Sequence, residues 1–180
     1  MTDDKDTSRE EQLIHGYNRM MARVKAALEE VGERTGPRLR QAIEQAKKKA
    51  VELEELTEEE AERIGEYLRR DIEAAADYLA SEEVQELRDW FHIDVQLIER
   101  QLLDMFLSVA DQTKLDMLEF QEQLEEASEY HTGEITGPGA LACLGCGEIL
   151  HFHKTSRIPP CPRCRQTTFT RDVASVTGAA

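Results

Sequence analysis

Cys143-Leu144-Gly145-Cys146, then fourteen residues, then Cys161-Pro162-Arg163-Cys164 decide how the last third of this chain folds. Each Cys-x-x-Cys pair can close a tight turn that points two sulfurs and nearby backbone N–H groups at one ion. Those N–H groups offset the charge of bound thiolates. Four thiolates complete a tetrahedron around zinc and leave no open position. The sequence therefore predicts one structural Zn2+ held by Cys143, Cys146, Cys161 and Cys164. A rubredoxin-like iron centre also fits the spacing, with zinc the preferred ion. A thioredoxin-type redox pair would need a βαβ context, and none is visible. His151 and His153 lie in the spacer and are read as surface or strand residues, because four cysteines already fill the tetrahedron. Gly147 follows the first pair, where a positive φ is often needed, and Arg165 takes the equivalent place after the second.

The surroundings suit a small metal-stapled module. Gly133, Gly137, Pro138, Gly139, Gly145, Gly147, Pro159, Pro160 and Pro162 mark turn-rich, short-strand territory from His131 onward. Glu148 to Phe152 is a candidate strand, with Leu141-Ala142 before the site and Thr167 to Arg171 after it. Ile135, Leu141, Ile149, Leu150, Phe152, Ile158 and Phe169 are too few for an independent core. Zinc binding to such modules contributes on the order of 10–16 kcal/mol at neutral pH, and that is folding free energy.

Upstream of residue 130 the pattern is helical. Leu13, Tyr17, Met20, Val24, Leu28 and Val31 recur at steps of three and four, and Gly32 with Gly36-Pro37 stops or bends that helix. Leu39, Ile43, Ala46, Ala50 and Leu53 form a second stripe, with Lys47, Lys48 and Lys49 on its solvated face. Thr57-Glu58-Glu59-Glu60 is a capping box that starts a third helix, with Ala61, Ile64, Leu68, Ile72, Ala75 and Leu79 on one side. Ser81 can cap a fourth, running over 82–110 with Val84, Leu87, Phe91, Val95, Ile98, Leu102, Met105 and Val109 in its stripe. Trp90, Ile93, Leu97, Leu103, Phe106 and Leu107 lie off that stripe, so the helix needs cover on two faces. Asp111-Gln112-Thr113 then interrupts the pattern, either recapping at Thr113 or bending the helix, before Met117, Phe120, Leu124 and Ala127.

The fold class that follows is mainly α. Long amphipathic helices form a bundle or coiled-coil-like body, followed by a small β-rich zinc ribbon. The divisions are a disordered N-terminus at 1–9, an acidic helical domain at 10–130, the ribbon at 131–172 and a flexible tail at 173–180. The two parts are treated as separable: replacing Cys143 or Cys164 by Ser should unfold the ribbon and leave the helices largely intact.

Charge and composition narrow the functional classes. The net charge is −15, and it resides in the helical part: residues 1–130 carry 34 acidic and 17 basic side chains, against 3 and 5 in 131–180. Such a body repels nucleic acid and anionic membranes. No apolar run approaches the roughly 20 residues needed to cross a bilayer. The start, Met1-Thr2-Asp3-Asp4-Lys5-Asp6, lacks the features of a secretory signal, so a cytoplasmic, reducing compartment is the expectation. All four cysteines cluster in the ribbon, as a metal site in such a compartment would have them.

The combination resembles a known family. His131-Thr132-Gly133-Glu134-Ile135-Thr136-Gly137-Pro138-Gly139-Ala140-Leu141-Ala142-Cys143, both Cys-x-x-Cys pairs and Phe169-Thr170-Arg171 are similar to the YbeL-like family of bacterial zinc-ribbon-containing proteins. Leu56-Thr57, Leu68-Arg69-Arg70-Asp71-Ile72-Glu73 and Asp111-Gln112-Thr113-Lys114-Leu115 look like its helical segments. The likeness covers most of residues 10–172 and departs at Arg165, where glycine is commoner. It implies a helical body with a C-terminal zinc ribbon in a bacterial cytoplasm. It carries over the four cysteine ligands and no reaction.

Three functions are compatible with these features to different degrees. An adaptor would use its helices and ribbon for protein contacts, with an unknown protein partner or as a homo-oligomer through the helical domain. Leu103, Phe106 and Leu107 are its candidate contact residues, unless they cover other helices of the same chain. A transcription- or nucleic-acid-associated module would use Lys154, Arg157, Arg163, Arg165 and Arg171 among Phe152, His153 and Phe169. An enzyme finds little support. Asp89-Trp90-Phe91-His92 is a single carboxylate-x-x-His unit where a di-iron bundle needs two, and no phosphate-binding glycine loop occurs.

Overall fold

The computed structural model describes residues 3–30, 38–80, 98–120 and 129–171. Four helices lie within them: α1 (Asp3–Glu29), α2 (Arg38–Glu52), α3 (Glu58–Ala80) and α4 (Arg100–Phe120). Six short strands follow: β1 (Tyr130–His131), β2 (Ile135–Thr136), β3 (Gly139–Cys143), β4 (Ile149–Phe152), β5 (Ser156–Arg157) and β6 (Thr168–Thr170). The protein is thus mainly α with a small antiparallel β part, as the periodicity predicts.

The apolar stripes are the buried ones. Tyr17, Met20, Val24 and Leu28 of α1 face Leu39, Ile43, Ala46 and Ala50 of α2, Ile64, Leu68, Ile72 and Ala75 of α3, and Phe106 and Val109 of α4 in one core. The capping box forms as read: the Glu60 N–H donates to Thr57 Oγ1 at 3.2 Å, and the Thr57 N–H donates to Glu60 Oε2 at 2.9 Å. Arg9 adds an ion pair to Glu60 at 2.7 Å, joining the start of α3 to α1. Glu55 fixes the turn between α2 and α3 in the same way. Its carboxylate accepts two bonds from Arg23 at 2.7 and 2.9 Å, which hold it below the usual carboxylate range against the opposing effect of burial.

Several expectations are corrected. Helix α1 begins at Asp3, inside the stretch 1–9 read as disordered, because extending a helix already packed from Leu13 onward adds one hydrogen bond per residue fixed. Helix α4 runs unbroken through Asp111-Gln112-Thr113. The Thr113 hydroxyl is buried and donates to the Val109 carbonyl at 2.8 Å, so it finds its partner inside the helix instead of capping a new one. Ile98 and Glu99 precede α4, so the helix drawn over 82–110 is not continuous there. Phe106 is fully buried, and Leu103 and Leu107 pack against the core, so these three cover helices of their own chain. Of the lysine triplet, Lys48 and Lys49 are exposed as read. Lys47 is half-buried and pairs with Glu44 at 2.7 Å and Glu62 at 2.5 Å. Gly32, Gly36-Pro37, the Ser81 cap, the stripe from Val84 to Leu97, the Asp89–His92 unit, Leu124, Ala127 and the tail 173–180 lie outside the described residues.

The strands form a four-stranded antiparallel sheet in the order β1-β6-β3-β4 and a separate pair β2-β5. Tyr130 pairs with Phe169 and belongs to the ribbon core, so the boundary falls one residue before the predicted 131. Ile135 leaves that core and joins the helical one.

Candidate metal centre

The two Cys-x-x-Cys turns have the same backbone. In the first, between β3 and β4, the Gly147 N–H donates to the Cys143 carbonyl at 2.9 Å. In the second, between β5 and β6, the Arg165 N–H donates to the Cys161 carbonyl at 2.9 Å. Gly147 has φ 72° and Arg165 has φ 62°, so both turns close through a left-handed residue. Glycine adopts that conformation freely, whereas at Arg165 the Cβ makes it costly by about 1 kcal/mol. The sheet joins the two turns: Cys143 pairs with Phe169, and the Leu144 N–H donates to the Thr168 carbonyl at 3.1 Å.

This pairing brings the four predicted ligands together. Cys143 and Cys164 have their sulfurs 3.5 Å apart, Cys146 and Cys161 have theirs 3.6 Å apart, and all four lie within 4.8 Å of one another. A tetrahedron of Zn–S bonds of about 2.3 Å has edges of about 3.8 Å, so the donor set fits zinc. A disulfide would need about 2.05 Å, and all four cysteines are free. Burial opposes ionisation of Cys161, but N–H groups of Cys164 and Arg163 and the neighbouring thiols bring it down to about 7. For Cys164 the Gln166 N–H favours the thiolate, yet burial and the three adjacent sulfurs outweigh it and push the thiol up to about 12. Without a cation the four groups cannot all be thiolates; a cation between them would favour the charged form of each. His151 and His153 are exposed and outside the cluster, as the reading of four cysteine ligands requires.

A family described as "Zinc-ribbon containing domain" matches residues 26–173. The chain belongs to this family. The match takes in the last turn of α1, the other three described helices and both cysteine turns of the zinc-ribbon protein, so most of the helical body and the ribbon are one family unit. Relatives titled "Uncharacterized protein YbeL" from Escherichia coli strains K12 and O157:H7 are each 30% identical over 134 residues, 72% of this chain and 79% of theirs. No solved structure matches it.

The ribbon meets the helices at a buried charge that no motif of the sequence marks. Asp71 of α3 is fully buried. Its carboxylate accepts from the Tyr17 hydroxyl at 2.6 Å, the Gly137 N–H at 2.7 Å and the Thr136 hydroxyl at 3.3 Å. Arg171, just after β6, lies 3.5 Å from Asp71 Oδ1 and also donates to Thr136 Oγ1 at 2.7 Å and to the Tyr130 hydroxyl at 3.0 Å. Arg70 stacks over the Tyr130 ring, 3.6 Å from its centroid, and pairs with Glu134. Burial pushes the Asp71 carboxyl up, but Arg171, Arg70, Tyr17 and the Gly137 N–H outweigh it and hold it below the usual carboxylate range. Burial and the Asp71 charge raise the Tyr17 phenol well above its ordinary value. A signal was present in the sequence: Asp71 sits three residues after Leu68 and four before Ala75, on the apolar stripe of its helix.

The same geometry draws the aromatic side chains and one arginine of the predicted basic and aromatic patch inward. Phe152 and Phe169 are buried in the ribbon core, and Arg171 is committed to Asp71 and Tyr130. Arg163 lies 3.9 Å from Glu148, and Arg157 lies 3.8 Å from Glu10 of α1. Lys154, Arg157, Arg163, Arg165 and His153 remain exposed.

Proposed function

We propose that this protein is a non-catalytic adaptor, in which a structural zinc ribbon is mounted on an acidic helical body to present a protein-contact surface. The observation that carries this reading is the set of four cysteine sulfurs within 4.8 Å of one another. Sulfur would take all four positions of a zinc tetrahedron there, leaving the ion no place for substrate or water. Among the described residues the four cysteines are the sole group able to hold a metal, and the buried polar cluster at Asp71 is filled by the chain's own groups.

The contact surface that fits best is the first cysteine turn. Leu144 at its tip is 44% exposed, beside a ribbon whose other apolar side chains are mostly buried. A protein partner suits this surface better than nucleic acid does, because the ribbon aromatics that would stack bases are in its core. Self-association through Leu103, Phe106 and Leu107 loses its support, since those residues are used within the chain.

The test is affinity capture from nuclease-treated native extract, comparing wild type with Leu144→Ser of verified zinc content. A discrete protein held by the wild type and released by the variant supports the adaptor reading. Recovery of nucleic acid before nuclease treatment and of nothing after it would favour the nucleic-acid reading instead.

A further inference from the structure

The helical body contains a buried charge whose compensation comes largely from the ribbon. Of the groups around Asp71, Tyr17 and Arg70 belong to helices, while Thr136, Gly137 and Arg171 belong to the ribbon. Even Arg70 is held in place by ribbon residues, through the Tyr130 ring and Glu134. Helix and ribbon meet again where the Thr155 hydroxyl donates to Asn18 Oδ1 of α1 at 2.6 Å, and Ile135 completes the helical core.

Arg171 reaches Asp71 only because β6 is in place, and the metal ligands fix β6. Cys143 pairs directly with Phe169, and Ala142 with Thr170, the residue before Arg171. At the other end of the strand, the Cys161 N–H donates to the Gln166 carbonyl at 2.9 Å, tying the second cysteine turn to the start of β6. The ribbon's own core comprises Tyr130, Leu141, Leu150, Phe152, Ile158, Phe169 and two of the cysteines, too little to hold the sheet without its metal.

We propose that the ribbon is a zinc-dependent latch on the helical body. With zinc bound, β6 delivers Arg171 and the β2 segment delivers Thr136 and Gly137 onto Asp71. When zinc leaves, these groups withdraw together, and the face of the bundle around Tyr17, Asp71 and Phe106 is uncovered. Gly137 marks how closely that face is covered: a Cβ there would lie 2.9 Å from the Tyr17 hydroxyl, 3.4 Å from Phe106 and 3.5 Å from Asp71. The helices therefore sense the occupancy of a site to which they contribute no ligand. This goes beyond the adaptor reading and does not depend on it.

The experiment is hydrogen exchange on the full-length protein, zinc-loaded and after removal of zinc by a chelator, followed peptide by peptide. The expected result is that segments containing Tyr17 and Asp71 lose protection by at least about tenfold on chelation, together with the ribbon. Unchanged protection of those helical segments beside a deprotected ribbon would overturn the latch. A second measurement uses Arg171→Met with zinc retained. If the variant folds, its Tyr17 and Asp71 segments should exchange faster than in the zinc-loaded wild type while its cysteine turns stay protected; equal protection would also count against the proposal. If it does not fold, the chelation result on the wild type decides alone.

Discussion

The backbone N–H of Gly137 donates to Asp71 Oδ2 at 2.7 Å, across 66 residues of sequence and from ribbon to helix. With the Tyr17 hydroxyl 2.6 Å from the same oxygen, this bond anchors the β part of the chain to a charge inside the α part. A buried carboxylate is tolerable only when it is paired and hydrogen-bonded, and here the pairing runs between the two parts. Removing one member of the cluster leaves the others buried and uncompensated.

Asp71→Asn should therefore destabilise the full-length protein by about 3 kcal/mol, because Arg171 and Arg70 lose the charge they face. Urea denaturation followed by helical circular dichroism measures this. A change under about 0.5 kcal/mol would mean that the cluster is not integral to folding.

The same pair of proteins has a defined pH dependence. The Asp71 carboxyl is held below its usual range in the folded chain, so it contributes stability above the unfolded pKa of about 3.9. That contribution is lost as pH falls through the folded pKa. Wild type and Asp71→Asn should differ by a constant amount from neutrality to about pH 4 and converge below it, with the wild type falling more steeply. Parallel curves down to acid unfolding would contradict this.

Gly137→Ala should cost about 2 kcal/mol, since its Cβ would stand 2.9 Å from the Tyr17 hydroxyl oxygen. In a Tyr17→Phe background that oxygen is absent, and the additional cost of the alanine should be smaller. A double-mutant cycle reads the difference, and strict additivity of the two substitutions would refute the close contact.

Arg165 occupies the left-handed conformation that Gly147 occupies in the other turn. Arg165→Gly should stabilise the ribbon by about 1 kcal/mol, and Gly147→Ala should destabilise it by a similar amount. Competition for zinc against a colorimetric chelator would show the first variant holding its metal more tightly and the second less tightly.

Much of this was legible in the sequence, for reasons that lie in local period and spacing. The stripes from Tyr17 to Leu28, Leu39 to Ala50 and Ile64 to Ala75 are buried because the helical repeat puts them on one side. The Thr57–Glu60 box and the cysteine turns are short-range patterns, and both form as read. What escaped was long-range or conformational. Tyr130, Thr136 and Arg171 converge on Asp71 from distant positions, and no periodicity reports such a meeting. The pair Ile135-Thr136 with Ser156-Arg157 is too short to show strand alternation. Glu54 takes a positive φ that nothing in its identity announces, whereas that of Arg165 follows from its place after the second cysteine pair. The continuity of α4 through Thr113 depended on a hydroxyl turning back to its own helix.

Metal content of the purified chain by native mass spectrometry, comparing wild type with Cys164→Ser, tests the four-cysteine zinc site most directly. One zinc per wild-type chain is expected, with sharply weakened retention in the variant. Bound iron, no metal, or equal zinc retention by Cys164→Ser would contradict a closed site formed by Cys143, Cys146, Cys161 and Cys164.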